Sequence, residues 1–121
     1  MSASVPSASG ATPAPLAGHR VLVVEDAAII AAQVARALGE AGATILGPMS
    51  TLAAAMDPLS LQASFDAAVI DVDLRGEMAF PLCELLAGRG TRFMLTTGYE
   101  LSALPEPWSR CKTICKPFTT R

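Results

Sequence analysis

"VLVVEDAAIIAAQVARALGEAGATILG", residues 21 to 47, carries in one run the pattern on which the fold turns. Four consecutive apolar residues, Val21 to Val24, break at Glu25 and Asp26, and a second apolar run, "ATILG" at 43–47, opens after Gly42. Continuous rather than alternating apolar runs belong to strands covered on both faces, the habit of parallel sheets. Between the two runs, Ile29, Ile30, Val34, Ala37 and Leu38 are expected on one helix face, with Asp26 placed to cap the helix and Gly42 to stop it. Strand, helix and strand make one crossover unit of a parallel sheet.

Outward from this unit the alternation continues. Further apolar runs fall at "AAVI" (67–70), "FMLT" (93–96) and "TIC" (113–115). Helices fit "TLAAAM" (51–56), limited by Pro58, and "AFPLCELLAG" (79–88), with Pro81 in its first turn and Gly88 at its end. In "YELSALPEPW" (99–108), Pro105 and Pro107 allow no more than a turn or two of helix, so a short irregular segment is expected in place of a fourth helix. The expectation is a doubly wound α/β fold with a five-stranded parallel sheet. Five residues follow Lys116, too few for a closing helix, so the final helix is expected to be missing or to lie outside the chain. The apolar face thus left open would be covered by the tail, by a second copy in a homodimer, or by another partner.

Residues 1–18, almost all Ala, Ser, Pro and Gly, read as a flexible tail, and residues 19–121 as the folded domain. A chain of 121 residues, 51% hydrophobic, holds one domain with a real core, and a net charge of −2 gives no basic footprint for nucleic acid. Cys83, Cys111 and Cys115 with the single His19 form no zinc pattern, and reduced thiols follow. The N-terminus lacks a secretory pattern and no apolar run approaches the ~20 residues of a membrane span. These features suggest a cytoplasmic protein without membrane contact.

In open parallel sheets, function gathers at the carboxyl ends of the strands beside the switch in strand order. Glu25 and Asp26, Asp71, Thr97 and Lys116 all fall on that edge. If the first and third strands are neighbours, Glu25, Asp26 and Asp71 crowd together, and a positive charge must intervene. Hard oxygen ligands without nearby His or Cys favour Mg²⁺, which keeps open positions for phosphate oxygens. A carboxylate beside such an ion can attack phosphorus and form an aspartyl phosphate. Each residue alone has an ordinary explanation: Asp26 as a cap, Asp71 and Asp73 as turn formers, Thr97 before Gly98 as turn chemistry, Lys116 as an exposed lysine. Four ordinary explanations at successive strand ends make the weaker account.

"VLVVED", "VIDVDLRG", "LTTGY" and "CKPF", in this order, closely resemble the CheY-like receiver domain of two-component response regulators over residues 20 to 118. The resemblance implies a flavodoxin-like fold with Asp71 as phosphoacceptor, Asp26 as a direct Mg²⁺ ligand and Glu25 as its water-mediated companion. It further implies a metal contact from the backbone carbonyl of Asp73, a phosphoryl oxygen bound by Thr97, a phosphate pair with Lys116, and a turn shaped by Pro117. "TRFMLTTGY" also resembles the single-domain alphaproteobacterial receivers with a "PFxFATGxY" motif, although Arg92 and Thr96 stand where that pattern has Pro and Ala. Such receivers imply a sensor histidine kinase of HWE or HisKA2 type, or a phosphotransfer protein, as partner. Thr113 occupies the position of the usual switch aromatic, which leaves Tyr99 as the switch candidate. The function implied is a phosphorylation-dependent signalling switch, not an enzyme, acting through protein contacts or as a phosphate sink. "DVDL" also resembles the aspartate pair of haloacid-dehalogenase-type phosphatases, and a receiver-like binding module without phosphorylation is the third reading.

Overall fold

The apolar runs become strands and the amphipathic stretches become helices, in chain order. They are β1 (Arg20–Val24), α1 (Ala28–Glu40), β2 (Thr44–Met49), α2 (Leu52–Met56), β3 (Ala67–Asp71), β4 (Asp73–Leu74), β5 (Glu77–Met78), α3 (Phe80–Gly88), β6 (Arg92–Thr97) and β7 (Thr113–Cys115). This computed structural model describes residues 14–58, 64–97, 104 and 106, and the backbone of 113–115. Five parallel strands pair in the order β2-β1-β3-β6-β7. The order reverses between β1 and β3, which makes their carboxyl ends the switch point of a doubly wound sheet.

Alternation along the strands divides the core in two. Leu22, Val24, Ala68, Ile70 and Leu95 face α2 and α3, where Leu52, Ala55, Leu82, Cys83 and Leu86 meet them, and Leu104 joins the same cluster. Leu22, Ile70, Leu82, Leu86 and Leu95 are each fully buried, and each such side chain contributes about 1.5–3 kcal/mol in transfer free energy. Val21 and Val23 point to the opposite face, which α1 covers with Ala31 and Val34. Beside α1, a groove of about 440 Å³ runs over Val21, Val69 and Met94, rimmed by Leu16, Leu38 and Arg92.

Three expectations for the first crossover need correction. Ile29 is 76% exposed, because the buried stripe of α1 runs through Ala31 and Val34, and two residues from Ala31 is a turn of about 200°. Asp26 does not cap the helix: the N-cap is Ala27, whose N–H donates to Glu25 Oε2 at 3.0 Å. No side chain caps the first turn, and the Glu25 bond fixes the N-cap residue's own N–H instead. β2 is an edge strand, its side chains exposed or half-buried throughout, so it is not covered on both sides.

Two features escaped the sequence pattern. Residues 14–18, which composition assigns to the tail, form a turn against the end of α1, with the Leu16 N–H donating to the Ala41 carbonyl at 2.7 Å. Gly42, at φ +101°, admits this turn, since a Cβ there would lie 2.7 Å from Ala14 Cβ. After β3 the chain makes a two-stranded antiparallel ribbon, β4 with β5, closed by Arg75 and Gly76 at φ +57° and +86°. Positive φ at both central residues is the requirement of the type I′ hairpin. The expected irregular segment in place of a fourth helix, and the end of the chain after β7, lie outside the described residues apart from Leu104 and Glu106.

Candidate functional site

The switch point holds three carboxylates. Asp71 ends β3, and the register pairs Val24 with Ile70, so Glu25, one residue past β1, stands opposite Asp71. Asp26 follows at once. One carboxylate oxygen from each of Glu25, Asp26 and Asp71 lies within 4.8 Å of the others. Glu25 and Asp71 are each only 3% exposed, while Asp26 is half-buried.

Backbone groups fix these side chains. Glu25 Oε2 accepts from Ala27 N–H, and Asp71 Oδ1 accepts from Asp73 N–H at 3.2 Å. The main chain of Asp73 thus turns to the acid cluster, while its side chain is occupied elsewhere: Asp73 Oδ1 accepts from Gly76 N–H at 2.6 Å and braces the hairpin. The hairpin carries Arg75 over the site, with Nε 3.7 Å from Asp26 Oδ2. Arg75 is exposed, and a pair of this length at the surface is worth little, on the order of 0.2–1 kcal/mol.

Three carboxylates this close, two of them buried, are unfavourable without a cation. An all-oxygen donor set without His or Cys suits a hard divalent ion such as Mg²⁺ or Ca²⁺. Thr97 ends β6, buried, one residue past Thr96, which is the register partner of Asp71. Lys116, Pro117 and Tyr99, the other expected site residues, lie outside the described residues. Arg75 and Thr96 are the site neighbours that sequence reasoning missed. The "RG" pair after "DL" carried a hairpin signal, and the "TT" doublet ending an apolar run carried the other, since adjacent strand residues point to opposite faces.

No family model and no curated protein matches the sequence. Solved structures do match it. SdrG from Sphingomonas melonis Fr1 superposes with a TM-score of 0.74 at 32% identity, over 84% of this chain and 86% of that one; SdrG is also solved in a BeF3-activated conformation. The response regulator PhyR from Brucella abortus gives a TM-score of 0.73 at 19% identity, over 88% of this chain and 45% of that one, so the chain spans under half of PhyR. A response regulator from Burkholderia pseudomallei, solved with a phosphorylated aspartic acid, a calcium ion and citrate, gives 0.70 at 20% identity over 84% and 62%. With an acidic cluster at the switch point of a five-stranded parallel sheet, and a relative 32% identical along most of both chains, this chain belongs to the response regulator receiver domains of two-component systems.

Proposed function

We propose that this chain is a phosphorylation switch in which Asp71 accepts a phosphoryl group from a histidine kinase, or from a phosphotransfer protein, and Mg²⁺ serves as cofactor. The observation that carries this reading is the set of carboxylate oxygens of Glu25, Asp26 and Asp71 within 4.8 Å of one another. In the transfer, an Asp71 oxygen attacks the phosphorus of a phosphohistidine. The O–P bond forms, the N–P bond breaks, and the imidazole leaves with the electron pair and takes up a proton. Bound Mg²⁺ supplies neutralisation of the phosphoryl oxygens. Asp26, Glu25, Asp71 and the main-chain carbonyl of Asp73 would hold the ion, and the bond from Asp73 N–H orients the Asp71 carboxylate. The BeF3-activated form of SdrG and the phosphorylated aspartic acid of the Burkholderia protein support this chemistry.

In this reading Thr97 binds a phosphoryl oxygen, Lys116 pairs with the phosphate, and Tyr99 is the switching aromatic. The receiver comprises residues 19–121 together with the 14–18 turn packed on its first helix, the residues before that turn forming its tail. It works in the cytoplasm with a kinase of HWE or HisKA2 type, and passes its state on through protein contacts or as a phosphate sink. The groove beside α1 offers a face for a homodimer. Intact-mass spectrometry of the chain with Mg²⁺ and acetyl phosphate, beside Asp71→Asn, tests the chemistry. One added phosphoryl group on the parent and none on the variant is the expected result; no addition to the parent, or equal addition to both, refutes it.

A further inference from the structure

Across β1, β3 and β6, the face of the sheet on which α1 packs against β1 changes character in one step. Val23, Val69 and Met94 form an apolar row in register. The next row at the same level is Glu25, Asp71 and Thr96, all nearly buried, with Thr96 only 2% exposed. Register partners on parallel strands put their side chains on one face of the sheet, with neighbouring strands ~4.8 Å apart. Thr96 therefore stands beside Asp71 as Glu25 does on the other side. Its hydroxyl Oγ1 is buried and bonds to no group among the described residues. Such a hydroxyl disfavours the free protein, and valine would fill the same space without that cost.

We propose that Thr96 is a second hydroxyl of the phosphoryl site: once Asp71 carries a phosphoryl group, Thr96 Oγ1–H donates to one of its anionic oxygens. This inference rests on the reading of Asp71 as phosphoacceptor. Thr97, the next residue, points to the opposite face, so the two threonines flank Asp71 from both sides of the sheet. The acceptor that Thr96 lacks among the described residues arrives with the phosphoryl group, and the bond to a charged oxygen is of the stronger kind.

Beryllium fluoride with Mg²⁺, titrated into the full chain and followed by 19F NMR and thermal unfolding, tests this with Thr96→Val and Thr96→Ser. The expected result is roughly ten- to hundredfold weaker beryllium fluoride binding by Thr96→Val. Thr96→Ser should bind as the parent does, and Thr96→Val without ligand should unfold at the parent temperature or above. Equal binding by parent and Thr96→Val overturns the inference and leaves the phosphoacceptor reading standing. A clear loss of stability in unliganded Thr96→Val also overturns it, since the hydroxyl would then be bonded in the free state. If the parent binds Mg²⁺ but no beryllium fluoride, the phosphoacceptor reading fails and this inference with it.

Discussion

Asp71→Asn should stabilise the metal-free protein and abolish its stabilisation by Mg²⁺. Two unit charges at 4.8 Å, the bound on the spacing of the three carboxylate oxygens, repel by roughly 3.5 kcal/mol at an effective dielectric constant of 20, and by about 0.9 kcal/mol in bulk water. Asparagine removes two of the three pairwise repulsions. It keeps an oxygen to accept the Asp73 N–H, and it brings an amide that the neighbouring carboxylates can accept from. Asp26 is 19% exposed in its side chain and has Arg75 at 3.7 Å, so its share is partly screened already. A net gain of about 1–3 kcal/mol follows, or roughly 5–15 °C in Tm for a domain of this size. The assay is thermal and urea unfolding at low ionic strength, in EDTA and in Mg²⁺. In EDTA the variant should be the more stable protein. With Mg²⁺ at about 100 times its Kd the parent should gain roughly 2.7 kcal/mol and the variant almost nothing. A variant less stable than the parent in EDTA, or an equal response of both to Mg²⁺, would refute the reasoning.

Gly42→Ala should cost about 2–3 kcal/mol, through a left-handed φ of +101° and a Cβ pressed to 2.7 Å from Ala14 Cβ; the Leu16 amide, bonded to Ala41, should then exchange its hydrogen faster. A loss under about 0.5 kcal/mol by urea unfolding would mean that the 14–18 turn does not pack there. Arg75→Asn puts a residue at home in the left-handed region at φ +57°, so stability should hold or rise slightly. The same change removes a competing cation beside Asp26 and should tighten Mg²⁺ binding roughly two- to fivefold by isothermal titration. Weaker Mg²⁺ binding would instead make Arg75 a support of the site.

The strands were legible as apolar runs, and the carboxylate trio because two of those runs, β1 and β3, end in acids on the same sheet edge. What escaped depends on angles that the pattern does not carry. Ile29 and Ile30 look equivalent in sequence, yet the helix sets Ile29 outward, because the small Ala31 is the residue turned to the sheet. Asp26 reads as a cap, but the N-cap falls one residue later at Ala27, and the Asp26 carboxylate belongs to the acid cluster. The β4–β5 hairpin rests on four residues and a dipeptide with positive φ, too short to show as periodicity. Thr96 was passed over because polarity was sought after the strand rather than within its last turn of alternation.

The step from the row Val23–Val69–Met94 to the row Glu25–Asp71–Thr96 explains why a site of like charges can exist in so small a domain. The apolar row and the cluster around Leu22, Ile70 and Leu95 fix the register of the three strands, since a slip by one residue would turn every buried side chain to the wrong face. That same register fixes the neighbours of Asp71. The repulsion within the trio is therefore opposed by core packing several residues long, and cannot be relieved by letting one strand slide. Only local answers remain: a cation at the three carboxylates, the guanidinium of Arg75 at their edge, or movement of the hairpin that carries it. Changes of charge at Asp71 should thus be felt first at Asp73–Met78, which joins the acid cluster through the Asp73 N–H, while the sheet beneath keeps its register.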